Sequence, residues 1–204
     1  MAAHVYEQEQ IEALKRWWRE NGTSVVAGVV LGIAGIFAWN AWNEYQAQRL
    51  EQAAAVYAQL KNAALNNQYE LAEGLAKRLD TDFASKAYAD FARLHMAKVA
   101  AEQKRLEAAK VWLETILNTS KDEDLRHIAR LRLARVLLDG GQPEAGVALL
   151  LADPGEFAGE YEEVKGDLYL AWGKVQEAKE AYRKAIALGR NHPYLKMKLN
   201  DLNA

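Results

Sequence analysis

The sequence predicts an all-α protein, in which a single N-terminal transmembrane helix is followed by a solenoid of paired helices. Three observations predict it: an uncharged apolar run bracketed by tryptophans, a recurring small–large residue pattern behind it, and no proline before residue 143. Ala, Leu, Glu and Lys dominate the rest of the chain, and no Val/Ile/Thr run alternates with polar residues, so strands are not expected. The net charge of −2 gives no basic footprint for nucleic acid. With no cysteine, disulfides, thiolate nucleophiles and Cys-based metal sites are excluded.

No charged residue occurs in 21–43, and the apolar heart runs from Ser24 to Trp42. As a helix that stretch spans ~29 Å, close to the thickness of a bilayer's hydrocarbon core. Trp17 and Trp18 precede it and Trp39 and Trp42 close it, at the two levels where an indole buries its ring and keeps its N–H wet. Lys15, Arg16 and Arg19 crowd the N-terminal side, against only Arg49 and Lys61 on the other. This places the N-terminus in the cytoplasm and the C-terminal domain outside it. A cleaved signal peptide fits poorly, because the leading region contains acids, the apolar run is too long and no small-residue cleavage site follows it. Gly28, Gly32 and Gly35 share one stripe, with a GxxxG at Gly28–Gly32 that would let another helix pack closely. That helix would belong to a second copy of the chain or to another subunit; glycines are also common in unpaired anchors. Val5, Ile11, Leu14 and Trp18 lie broadly on one face of an amphipathic tail, residues 1–20, which would either lie along the cytoplasmic membrane surface or simply extend the membrane helix. Residues 44–68, Ala-rich and without a breaker, continue as a helical stalk or as the first helix of the domain in 69–204.

That domain repeats. Glu-Ala dipeptides at Glu107-Ala108, Glu144-Ala145 and Glu177-Ala178 align segments with a large apolar residue four places on, at Trp112, Leu149 and Tyr182. Gly140 and Gly173 fall five residues before the last two alanines. In the last unit Gly166, Tyr169, Gly173, Ala178, Tyr182 and Ala185 occupy the small, large, turn, small, large and small positions of a tetratricopeptide repeat. Leu133 and Val136 hold the corresponding places in the middle unit and Met96 and Val99 in the first. A further unit is suggested around Leu71 to Leu79. Gly166 lies within a helix, where it costs about 1 kcal/mol against Ala, so close packing is its expected reason. Ser120 and Glu123 read as a capping box for a helix through Leu138, which Gly140-Gly141 ends before a first-turn Pro143.

Catalytic signatures are lacking, and no cofactor is implied. His4, His95, His127 and His192 are isolated, with no metal-ligand spacing, and His127 reads as a surface residue. The acidic run Glu156, Glu160, Glu162, Glu163 reads as a helix start favoured by the macrodipole. Stacked helix pairs make a concave surface suited to peptides. In the register above, its groove would be lined by Arg93, Ala97, Ala101, Arg130, Ala134, Leu138, Glu163, Asp167 and Leu170. Asp167 and Ala134 stand where a clamp for a C-terminal carboxylate uses Asn, so the groove suits an extended or helical protein segment instead.

The string YEQEQIEALKRWWRENG, running into VVAGVVLGIAGIFAWNAWNEYQ, resembles the YfgM-like family of ancillary SecYEG translocon subunits. LRLARVLLDGGQPEAGVALL and GDLYLAWGKVQEAKEAYRKAIAL are similar to the repeats of the same family, so the resemblance runs over the whole chain. It implies a Gram-negative inner-membrane protein with a periplasmic repeat domain. Its implied partners are the Sec translocon and the membrane-anchored chaperone PpiD, with secreted clients emerging nearby; no catalytic residues carry over. Beside this stand two other readings of an anchored repeat protein, an adaptor for another envelope assembly and a regulator signalling through its cytoplasmic tail.

Overall fold

The structure, a computed structural model, describes residues 2–84 and 87–202, with side chains from Ile11 onward, so His4 and Val5 lie outside the described side chains. The chain divides into two compact units, Met1–Gln52 and Ala53–Ala204.

The first unit is formed by helix α1 (Ala2–Leu65), which also enters the second. Its apolar residues point outward: Val26, Val29, Leu31, Ile33, Ile36 and Phe37 are each at least half exposed. Among the described residues this is the one helix long and apolar enough to cross a membrane. Trp17, Trp18, Trp39 and Trp42 are all exposed, and a Cβ placed on Gly28, Gly32 or Gly35 would meet nothing within 4 Å. The glycine stripe is therefore an open face.

In the second unit residues 53–65 are the first helix of the domain. Ala53, Val56, Leu60, Ala63 and Ala64 make one buried stripe of α1 against α2 (Tyr69–Asp82) and α3 (Ala87–Glu102). The series continues with α4 (Leu106–Thr119), α5 (Glu123–Asp139), α6 (Pro143–Leu149), α7 (Ala158–Ala171), α8 (Val175–Ala187) and α9 (Pro193–Asp201); a single 3₁₀ turn, Gly155–Phe157, leads into α7. One core lies among α1, α2 and α3, the next among α3, α4 and α5, and a third among α5, α6 and α7. Each second helix is thus sandwiched between its own partner and the first helix of the next pair, which is the construction of a solenoid.

The repeat is written most clearly in its turns. Asn67, Lys104, Gly141 and Gly173 all take positive φ, at 59°, 61°, 69° and 78°. The amide of each following residue donates to a carbonyl five residues back: Gln68 to Ala63, Arg105 to Ala100, Gln142 to Leu137 and Lys174 to Tyr169. Each left-handed residue also donates to the carbonyl three back, so all four turns are the same C-terminal capping motif. Aligned on these turns, the small positions are Ala97 with Ala109, Ala134 with Gly146, and Gly166 with Ala178, every one buried.

This register corrects the one drawn from Glu-Ala dipeptides. Ala108 is half-buried and Ala145 exposed; the buried small residues lie one place later, and Leu113 and Leu150, rather than Trp112 and Leu149, fill the interior. Likewise Ala97 and Ala134, rather than Met96 and Leu133, match Gly166. The dipeptide slides because it sits one residue deeper in α8 than in α4 or α6. The cap of α5 also differs. Asp122 accepts from Leu125 N at 3.1 Å, whereas Ser120 Oγ donates to Asp90 on α3 at 2.7 Å.

Around Gly166 the expected packing holds. The Tyr182 ring lies where its Cβ would be, and Tyr182 Oη donates to Asp167 at 2.6 Å. Gly166→Ala should therefore lower stability. The helix would gain about 1 kcal/mol of propensity, but overpacking costs about 1–3 kcal/mol, and the tethered ring has little room to yield. Lys104→Gly should do the opposite and stabilise by about 0.5–1 kcal/mol, by removing a Cβ from a left-handed turn. Thermal unfolding of the full chain in detergent, followed by circular dichroism, measures both.

Candidate functional site

Among the described residues no group of three His, Asp or Glu is arranged to hold a metal. The polar side chains instead fall into two kinds of site, interior clusters that fasten helices together and an open cleft.

Arg93 belongs to the first kind. It is buried on α3, with Nη2 2.8 Å from Asp80 on α2 and Nη1 2.6 Å from Asp90. Since Ser120 also bonds Asp90, the cluster ties α2, α3 and the α4–α5 turn. Burial lifts the Asp80 carboxyl above its ordinary range despite the pull of Arg93. Glu163 is a second such cluster. It is buried on α7 and accepts from Arg190 Nε at 3.0 Å and Nη2 at 2.9 Å, and from His192 Nε2 at 3.2 Å. His192 Nδ1 accepts from Leu195 N at 3.2 Å as the N-cap of α9, which leaves the ring proton on Nε2, facing the carboxylate. Burial pushes the Glu163 carboxyl up, but the hydrogen bonds from His192 and Arg190 outweigh it and hold it below its ordinary value.

The remaining expected groove residues divide similarly. Ala97 and Ala134 lie under helix crossings, and Arg130 donates to the buried Tyr161 hydroxyl at 3.1 Å. Asp167 receives both Tyr182 and Lys198, each at 2.6 Å. Ala101 and Leu138 are half-buried, and Leu170 is 39% exposed. Arg93, Ala134 and Glu163 thus serve the interior, which corrects the groove expected of them. Only Glu163 reflects the register, since it stands one place beyond the residue equivalent to Arg93 and Arg130, and a one-residue slip turns a helix by about 100°. His127 is also packed rather than free, stacked on Phe157 with Nδ1 2.8 Å from Tyr161 Oη. The acidic run does open a helix, with Glu160 in the first turn of α7, but Glu162 behind it is buried against Lys165 and Lys184, both at 3.0 Å.

The open cleft lies between α3 and α5. Ala97, Ala101, Leu113 and Val136 form its apolar floor; Lys98, Glu102, Arg132, Arg135 and Asp139 form its rim, around about 330 Å³. A second depression of about 210 Å³ adjoins it, lined by Tyr57, Phe91, Leu94 and His95, and shares Lys98 and Arg132. Tyr57 stands 5.7 Å from the Tyr88 ring and 6.3 Å from Phe91, with Lys61 Nζ 5.7 Å from its own ring centroid. Burial, then Lys98 and Lys61, lower the His95 pKa; burial, then Arg135, lower that of Arg132. Of the predicted residues the structure brings only Ala97 and Ala101 to this cleft. The rest of its lining was legible as Phe91, His95, Lys98 and Glu102 on one face of α3, and Arg132, Arg135 and Asp139 on one face of α5, once the register is right.

The sequence matches the family described as Tetratricopeptide repeat-like domain over residues 15–204. It is 33% identical to a Haemophilus influenzae protein named Ancillary SecYEG translocon subunit, over 99% of this chain and 100% of that one. The chain belongs to this family. An Escherichia coli K12 relative of the same name is 28% identical, with both chains covered in full. The fold, at 16% identity, is similar to the solved structure of a MamA RS-1 ArsTM double mutant, with a TM-score of 0.58 over 74% of this chain and 83% of that one.

Two stability predictions follow from the interior clusters of this translocon-subunit relative. Arg93→Leu leaves two carboxylates without their cation and should cost about 3 kcal/mol, read from the midpoint of urea unfolding. Glu163→Gln should cost about 1–3 kcal/mol at pH 7. The folded-state pKa of Glu163 lies below its unfolded value of about 4.3, so its carboxylate stabilises above that pH and the increment fades as pH falls through the folded value. The gap in Tm between the native chain and Glu163→Gln should therefore close below about pH 4.

Proposed function

We propose that this chain is an ancillary, non-enzymatic subunit of the Sec translocon. In this reading the apolar segment of α1 holds it in the inner membrane, with residues 1–20 in the cytoplasm and the repeat domain in the periplasm. It acts with PpiD to assist secreted proteins as they emerge. The observation that carries the reading is similarity along the entire chain to relatives named Ancillary SecYEG translocon subunit. The exposed apolar helix, the tryptophans at both its ends and the cluster of Lys15, Arg16 and Arg19 support the placement. The mechanism is positional. An anchored solenoid raises the effective concentration of its binding surface beside the translocon, and no bond need be made or broken by the chain itself. Gly28, Gly32 and Gly35 offer a close-packing face to another membrane helix.

Purified from native membranes in mild detergent, the chain should bring SecY, SecE, SecG and PpiD with it; recovery of the chain alone would overturn the reading. Gly32→Ile should reduce that yield severalfold if the glycine face makes the contact. Topology is read separately, because a chain without cysteine accepts a single reporter. In spheroplasts a membrane-impermeant maleimide should label Lys104→Cys at once and Glu12→Cys only after lysis.

A further inference from the structure

The two ends of the solenoid treat charge in opposite ways. On α7 the carboxylates are already matched by the chain's own C-terminal segment: Glu163 by Arg190 and His192, and Asp167 by Lys198. On α3 the buried Arg93 is matched in the same way by Asp80 and Asp90, but at the cleft Lys98, Arg132 and Arg135 face only Glu102 and Asp139 on the rim, and this cationic excess lacks built-in partners among the described residues. Arg135 has no ion pair or hydrogen bond among the described residues, and Arg132 makes one hydrogen bond, to the Leu94 carbonyl at 3.3 Å. Lys61 lies over the Tyr57 ring, and Lys98 is 3.6 Å from Glu102 with both side chains 63% exposed, a pair that binds weakly in water.

These cations rim two adjoining depressions with apolar floors, one of Ala97, Ala101, Leu113 and Val136 and the other walled by Tyr57 and Phe91. Solvated lysines on an ordinary helix face would need no such floor. Their arrangement over three helices also differs from a point clamp for one carboxylate. An extended strand fits both features. Its alternate side chains point the same way, so apolar residues two apart would enter the two depressions, and the residues between them, on the outer face, would be met by the long Lys and Arg side chains that rise from the rim.

We propose that the trough across α1, α3 and α5 binds an extended polypeptide segment in which acidic residues alternate with apolar or aromatic ones. The apolar side chains occupy the depressions around Leu113 and Tyr57, and the carboxylates pair with Lys98, Arg132 and Arg135. The occupant is a segment of a partner or client protein, so the proposal rests on the Sec-subunit reading for its setting. Binding desolvates Arg132 further but supplies an anion to pair with it, and like-charge crowding with Arg135 is relieved.

The test uses the full chain in detergent micelles and fluorescence anisotropy. The probe is a labelled heptapeptide with blocked ends, alternating Leu or Phe with Asp or Glu. Its controls are the Asn/Gln isostere, and that isostere carrying a free C-terminal carboxylate. At low salt the acidic peptide should bind at least tenfold tighter than either control, and the preference should shrink as salt rises. Arg135→Glu, which breaks no hydrogen bond seen here, should weaken acidic binding at least fivefold. Arg132→Glu with Arg135→Glu should weaken it further, with Tm lowered by the loss of the Arg132 hydrogen bond to Leu94, whereas Arg135→Glu alone leaves Tm nearly unchanged. Equal affinity for acidic and amide peptides, tightest binding of the free carboxylate, or indifference to Arg135→Glu would each overturn the proposal. So would loss of binding to phosphatidylglycerol vesicles, in place of peptide, in the double variant. If translocon subunits co-purify while the peptide fails, the trough assignment falls alone. If nothing co-purifies while the peptide binds as expected, the Sec reading falls and the trough stands.

Discussion

The constraint on which the helical domain depends is how closely two helices of a pair can approach. At each crossing both contributing residues must be small or must match a specific neighbour: Ala97 with Ala109, Ala134 with Gly146, and Gly166 with Ala178. In the last pair the tolerance is tightest, because Tyr182 lies in the volume a Gly166 side chain would need. At Gly146 the same space is taken by Leu168, which comes from the next pair, so the crossing and the stacking of repeats are one packing problem. The left-handed turn sets the phase at which each second helix departs. A second helix that began one residue early would present the wrong face to the crossing.

From that constraint follows the division of labour among charged side chains. Positions facing a neighbouring helix tolerate charge only where a partner is built in, as at Arg93 between Asp80 and Asp90, or Glu163 under Arg190 and His192. Such groups fasten the solenoid and are unavailable to a ligand. The cations that remain outside, around Lys98, Arg132 and Arg135, keep their charge for something else. A repeat protein thereby separates adhesion within the fold from recognition beyond it, using the same residue types one helical position apart.

The irregular middle of the solenoid has a local cause. Helix α6 has only 7 residues where α4 has 14, and Pro154 with the Asp153 side chain, which accepts from Gly155 N at 3.1 Å, turns the chain into α7. The stretch between the turns at Gly141 and Gly173, which holds α6, is thereby shorter than that between Lys104 and Gly141, so the repeat period is uneven. Leu150 nevertheless stays fully buried at the end of α6, so the core is kept while the helix is cut.

The sequence by itself determined what depends on composition and period: the apolar anchor with its tryptophans, the all-helical class, the paired-helix repeat and the turn at Gly173. These are local or cumulative signals, carried by many residues and insensitive to a slip of one place. Tertiary structure alone decided the register and, through it, which face of each first helix is interior. Asn67 and Lys104 adopt left-handed turns without the glycine that would announce them, and Ser120 leaves the capping role to Asp122 in order to bond Asp90. Lys104 gives no glycine-like signal for its turn, and the choice at Ser120 is set by Asp90, a residue distant in the chain. The cleft at Arg132 and Arg135 was hidden for the same reason. Its lining and that of the adjoining depression come from four helices, and an error of about 100° on one of them exchanges an exposed face for a core face.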